Sequence, residues 1–220
     1  MKAKKLKAGD EIRIISPSCS LSMIAPEQRE LAQNRLEQLG FTVTFSEHAF
    51  EADEFLSASI ESRVTDLHQA FLDPNVKGIL TTIGGYNCNQ LLRHLDYSLI
   101  KENPKRLCGY SDITALSNAI YAKTGLSSYS GPHFSTFGML HGNEYTIEAF
   151  QQVMMEEGEY GILPAKEWSD DLWYLNQEKR SFIKKTTDLV PFSMERRKGL
   201  LSAGICVPST CYKVPNICLF

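Results

Sequence analysis

The chain has 220 residues, 43% of them hydrophobic and 22% charged, with a formal net charge of -3 at pH 7. That length buries a proper core in one large domain or two small ones, and the mixed signs of charge argue against nucleic acid or an acidic membrane surface as partner. No apolar run is long enough to span a bilayer, and the basic residues Lys2, Lys4, Lys5 and Lys7 lead into no apolar stretch of a secretory signal, so the expected location is cytoplasmic.

The cysteines are Cys19, Cys88, Cys108, Cys206, Cys211 and Cys218, with no CxxC pair among them. Zinc is therefore not expected, and free thiols are the default without export. In chain order, residues 11–15 are short and β-rich and stop at Ser16-Pro17-Ser18, a buried strand ended by a loop. Residues 26–39 carry Leu31, Leu36 and Leu39 near helical spacing, with Gly40 as the C-cap. Residues 41–45 form a second strand, which completes a βαβ unit. A helix follows over 60–72, a strand over 76–83, a tight turn at Gly84-Gly85 and a short helix over 89–95. A fourth strand at 106–110 runs into a helix over 112–123, closed by Gly125. This alternation predicts an α/β domain with a mostly parallel sheet flanked by helices. Beyond Gly138 the pattern loosens: a helix over 146–156, then a loop over 167–175 rich in Trp, Asp and Tyr.

Three segments carry candidate chemistry. In Gly109-Tyr110-Ser111-Asp112 a strand meets a Gly, a Ser and then a helix. A nucleophile elbow needs that layout: the Gly relieves crowding, the Ser stands above the sheet edge, and the helix N-terminus lies beneath it. Amides and the helix dipole there can hold an oxyanion. The competing reading makes Ser111 or Asp112 an ordinary N-cap, and the second Gly of G-x-S-x-G is missing, since Ile113 and Thr114 follow. In Ile83-Gly84-Gly85-Tyr86-Asn87 the glycines let backbone approach a ligand and supply a second oxyanion donor, or else form a plain βα turn. The segment is too short for a dinucleotide fingerprint and lacks the P-loop Lys, so no cofactor is expected. His133, in a loop after a further strand, is a candidate base that geometry must decide. In Trp168-Ser169-Asp170-Asp171-Leu172-Trp173 the two tryptophans can stack on a planar ligand, or anchor a loop to the core.

Together these segments resemble the LD-carboxypeptidase family of serine peptidases. The matching stretches are Leu6-Lys7-Ala8-Gly9-Asp10-Glu11-Ile12 with Ser16-Pro17-Ser18, Ile83-Gly84-Gly85-Tyr86-Asn87, Leu95-Asp96-Tyr97, Asn103-Pro104-Lys105, Gly109 through Leu116, and Gly131-Pro132. The resemblance covers about residues 5–193. It implies Ser111 as nucleophile, the backbone N–H groups of Gly85 and Asp112 as oxyanion hole, and substrate contacts from Gly84, Tyr86, Asn87, Trp168 and Trp173. It also implies a β-rich C-terminal domain that supplies a His and a Glu to the triad, a small peptide or peptidyl-nucleotide substrate, and a homodimer. The substrate is then a peptidoglycan tetrapeptide that loses its terminal D-Ala, or an aminoacyl-nucleotide conjugate of the microcin C type.

The family continues past residue 220, and Met194–Phe220 does not look like it. Back-translated with suitable codons and read from the third base, that tail gives GEAEGTIIGGNL and continues in family style. The expected organisation is thus an N-terminal α/β domain over 1–140, a linker and the start of a truncated C-terminal domain over 141–193, and an out-of-frame tail over 194–220. An inactive remnant without enzymatic function is the alternative from outside the hydrolases.

Overall fold

The strand–helix alternation of the sequence is realised as a parallel sheet. The computed structural model describes residues 1–158, 165, 167 and 169–182, and the backbone of 218–219. Strands β1 (Glu11–Ile15), β2 (Thr42–Phe45), β3 (Val76–Thr81), β4 (Arg106–Cys108) and β5 (Tyr129–Ser130) lie in the order β2-β1-β3-β4-β5. A short β6 (Cys218–Leu219) pairs with β5, and every pairing is parallel.

Successive strand residues face opposite sides of a sheet, and here both sides are covered. Ile14, Leu80 and Cys108 point to one core with Leu36 of α1 (Pro26–Gln38), Phe134 and Phe137 of α5 (Phe134–Phe137), and Phe150 and Val153 of α6 (Glu144–Met155). Ile15, Ile79 and Leu107 point to the other, with Leu67 and Phe71 of α2 (Ile60–Leu72), Ile100 of α3 (Tyr97–Glu102), and Leu116 and Ile120 of α4 (Ile113–Thr124). Burial on both faces is why β3 reads as an almost unbroken apolar run.

The expected helix over 60–72 has those bounds, with Ser59 Oγ accepting from the Ser62 amide as its cap. Two strands are shorter than expected. β3 ends at Thr81, because Thr82 turns toward the loop after β1 and donates its hydroxyl to the Cys19 carbonyl, 3.1 Å away. β4 ends at Cys108 rather than Tyr110. The short helix expected over 89–95 is a 3-10 helix over 88–94, and α3, α5 and a 3-10 turn at Leu21–Met23 are additional.

The expected boundary at 140 falls before an element that belongs to the first core. Phe150, Val153 and Met154 of α6 are each at most 2% exposed. The Met154 carbonyl accepts from the Leu6 amide at 2.8 Å, and the Val153 carbonyl accepts from Lys5 Nζ at 2.6 Å. Of the tail assigned to 194–220, all but 218–219 lies outside the described residues. No helix among the described residues is long and apolar enough to cross a membrane.

Candidate active site

A β2-β1-β3-β4-β5 sheet has its topological switch between β1 and β3, where the chain leaves to opposite sides, and ligands of such sheets bind at the C-terminal strand ends there. The loops that gather at this edge are Ser16–Ser20, Thr82–Asn87, Gly109–Asp112 and Gly131–His133.

Ser111 is exposed and has φ 58°. Among the described residues only Leu56 shares a positive φ without being glycine. A non-glycine residue there is strained by about 1–2 kcal/mol, and a sharp strand-to-helix elbow imposes that conformation on its Ser. The elbow is crowded: a Cβ at Gly109 would collide with Thr81 Oγ1. Gly84 faces Ser111 across the cleft, where a Cβ would lie 3.0 Å from Ser111 Oγ and 3.7 Å from His133 Nε2. Gly85 has φ 155°, and a Cβ there would strike Ser18 Oγ.

The N-cap reading does not describe this helix. Asp112 occupies the cap position of α4 but makes no side-chain capping bond. Its carboxylate accepts instead from Ser18 Oγ at 2.6 Å and from the Cys88 amide at 2.8 Å. Neither the Gly85 nor the Asp112 amide donates to a protein acceptor among the described residues. The cleft therefore presents an exposed Ser, the start of a helix and two uncommitted N–H groups, an arrangement able to take up a developing oxyanion.

The other expected residues fall as follows. Tyr86 is 61% exposed at the rim, and its hydroxyl donates to the Phe55 carbonyl at 2.8 Å. Asn87, expected against substrate, is 6% exposed with its side chain hydrogen-bonded inside the protein. Its amide donates to Ser57 Oγ at 2.7 Å and its carbonyl accepts from Arg63 at 3.0 Å, so it holds the loop from inside. Trp173 is half-buried with its ring edge-on to Tyr174, centroids 6.1 Å apart. Trp168 lies outside the described residues. Asp171, in the same loop, accepts from the Ser181 amide and hydroxyl and from Arg180, and these bonds, the Ser181 amide first, hold its carboxyl down at about 2.

His133 is 1% exposed. Its Nδ1 pairs with Thr81 Oγ1 at 2.7 Å, its ring lies against Tyr110 with centroids 4.3 Å apart, and Nε2 has no partner among the described residues. Burial pushes its pKa down to about 3, so it is neutral at physiological pH. It makes no hydrogen bond to Ser111 in this arrangement.

Sequence reading missed Ser18 and Arg63. Arg63 carried a signal: it stands four residues before Leu67, on the buried stripe that continues through Ala70 and Phe71. A charge on a core stripe invites the question of what it binds.

A family model of the LD-carboxypeptidase N-terminal domain matches residues 12–131. A putative carboxypeptidase of Bacillus subtilis, YocD, is 55% identical over 206 residues, which are 94% of this chain and 63% of that protein. The microcin C7 self-immunity protein MccF of Escherichia coli is 34% identical over 182 residues, 80% of this chain and 53% of its own length. The murein tetrapeptide carboxypeptidase of Pseudomonas aeruginosa is 32% identical over 129 residues, 58% of this chain and 41% of that protein. Among solved structures, an MccF-like protein from Bacillus anthracis superposes with a TM-score of 0.84 at 63% identity, covering 84% of this chain and 56% of that one. MccF in complex with glutamyl sulfamoyl guanosine superposes at 0.76 with 30% identity, covering 84% and 57%. The chain thus spans little more than half the length of several of these relatives, and within that span its sheet, its elbow and its sequence agree in placing it: the chain belongs to the LD-carboxypeptidase family.

Proposed function

We propose that the protein is a serine-type LD-carboxypeptidase that hydrolyses an amide bond next to a terminal carboxylate, such as the one holding the last D-Ala of a murein tetrapeptide. The observation that carries this reading is Ser111, exposed at φ 58° on a strand-to-helix elbow, with the Gly85 and Asp112 amides free of acceptors among the described residues. Ser111 Oγ attacks the scissile carbonyl while its proton passes to a base. The carbonyl oxygen, now negative, is held by the Gly85 and Asp112 N–H groups. Collapse breaks the C–N bond, the amine leaves with the proton, and water then cleaves the acyl-enzyme. The family resemblance assigns the base and its orienting partner to a His and a Glu in the family's second half. Losing a base removes most of the rate of such a site, so the proposal has two parts, a reactive Ser and a chain that completes it.

Labelling with a fluorophosphonate reads the first part. The expected result is one modification, on Ser111, abolished in Ser111→Ala. Absence of labelling in this chain and in a longer, frame-corrected one would sink the hydrolase reading. Labelling in the longer chain alone would identify the 220-residue form as an inactive remnant. Release of D-Ala from a murein tetrapeptide reads the second part.

A second reading has its own support. Solved structures of MccF carry glutamyl sulfamoyl guanosine and aspartyl sulfamoyl adenosine, and Trp168 and Trp173 stand in the segment expected to stack on a nucleobase. Cleavage of an aminoacyl-sulfamoyl nucleotide, lost on Trp168→Ala or Trp173→Ala with D-Ala release unchanged, would favour this substrate over the peptide.

A further inference from the structure

Arg63 takes no part in the reaction just described, yet it is 4% exposed in the middle of the site's support. It has no ion-pair partner among the described residues. Burying a cation without a carboxylate is costly unless its protons find acceptors, and here each guanidinium nitrogen donates to a neutral oxygen. Nη1 donates to the Pro17 carbonyl at 3.2 Å, to Asn87 Oδ1 at 3.0 Å and to the Asn87 carbonyl at 3.4 Å. Nη2 donates to Gln90 Oε1 at 2.9 Å, and Nε to the Ser59 carbonyl at 3.4 Å.

The Pro17 and Asn87 acceptors lie in the loops that follow β1 and β3, on the two sides of the switch point, while Ser59 caps α2 and Gln90 lies in the 3-10 helix that follows the β3 loop. The network then reaches the elbow. Ser18 Oγ lies 3.3 Å from Asn87 Oδ1 and directs its proton at Asp112 Oδ2, 2.6 Å away. The same Oδ2 accepts from the Cys88 amide, which joins the β3 loop to the elbow a second time. The chain of bonds that starts at the guanidinium thus reaches two carboxylates through Asn87: Asp53, away from the elbow, by way of Ser57, and Asp112 by way of Ser18. A negative carboxylate this close to an oxyanion opposes the charge that develops there, and a buried cation on the same network offsets it.

We propose that Arg63 is a positioning residue for the active site. Its guanidinium clamps the Thr82–Asn87 turn onto the Ser16–Ser20 loop, so that the Gly85 amide is held opposite that of Asp112, and its charge balances the Asp112 carboxylate. The effect on catalysis rests on the hydrolase reading above; the clamping of the turn does not.

Amide hydrogen exchange of the full chain reads the clamp directly. In Arg63→Met, exchange over residues 84–90 rises about tenfold or more, the loss expected when a charge-assisted hydrogen bond is removed, while peptides from β1, β3 and β4 keep their protection. In Arg63→Lys, which keeps the charge without the fork, the rise is intermediate. Fluorophosphonate labelling of Ser111 slows by a similar factor in the folded Met variant, whereas Asp96→Ala, destabilised at a distance, labels at the wild-type rate. Unchanged exchange over 84–90 in the Met variant overturns the proposal, as does a labelling loss shared equally by Asp96→Ala. If Arg63→Met does not fold, unchanged exchange in Arg63→Lys overturns it instead. If the 220-residue chain shows no labelling, the longer chain decides the hydrolase reading, and the exchange measurement still decides the role of Arg63.

Discussion

At the scale of single residues, two side chains beside Ser111 make opposite demands on their surroundings. Gly84 is needed for what it lacks. A Cβ there would sit 3.0 Å from Ser111 Oγ, closer than a carbon and an oxygen rest without displacement. Gly84→Ala is expected to push Ser111 aside by a few tenths of an ångström and slow its labelling about tenfold or more, with the melting temperature nearly unchanged because the backbone at 84 is not in a glycine-only conformation. Labelling at the wild-type rate would show that Gly84 is merely part of a turn. His133 is needed uncharged. Its folded pKa, pushed by burial to about 3, lies below the ordinary 6.5. Between those values the unfolded chain binds a proton that the folded chain refuses, so stability falls as the pH drops below about 6.5, by up to about 1.4 kcal/mol per unit. Above 6.5 this penalty is absent. His133→Asn is expected to flatten the acid side of a plot of urea midpoint against pH, and an unaltered slope would refute the assignment.

At the scale of elements, the helix starts divide by purpose. α3 is capped by Asp96, whose carboxylate accepts from the Ser98 and Leu99 amides at 2.9 and 3.0 Å. Asp96→Ala should cost about 1 kcal/mol in urea unfolding and leave the cleft alone. α4, under the candidate nucleophile, has no such side-chain cap; its first amides, those of Ile113, Thr114 and Ala115, donate to the carbonyls of Tyr110, Ser111 and Asp112 instead. Local syntax made part of this readable beforehand. α2 was legible in full because its apolar stripe and its Ser59 cap are both written within consecutive residues, and the elbow was legible because Gly109 to Asp112 is one short string. α3 and α5 were not, since helices of four to six residues have too few turns to show a period. The support of the site was hidden for another reason: Ser18, Arg63, Asn87 and Asp112 are far apart in sequence and meet only once β1, β3 and β4 stand side by side. The burial of His133 was hidden in the same way, because a loop histidine carries no local mark of what the fold will stack upon it.

At the scale of the whole molecule, the first core closes only with α6. Phe150, Val153 and Met154 are buried in it, and each such side chain contributes about 1.5–3 kcal/mol, so removing the helix takes away an amount comparable to a domain's entire stability. A chain ending after residue 158 is expected to unfold cooperatively in urea, and one ending after 140 to lose its sharp transition. Equal midpoints for the two would place the boundary at 140 after all. The sheet gathers its β1, β3, β4 and β5 loops at one edge, and Ser111, Gly85 and Asp112 lie within them. This is how a chain little more than half as long as these relatives holds the whole strand-to-helix elbow at Ser111.

The left-handed backbone at Ser111 has one further consequence. The fold would be better served there by glycine, which adopts φ 58° without steric cost. Ser111→Gly should therefore raise the unfolding free energy by about 1 kcal/mol over Ser111→Ala, which stays strained. Both variants would lose all labelling. Under the hydrolase proposal, the strained serine at 111 is held for its chemistry at the expense of stability, and the difference between the two variants measures that expense.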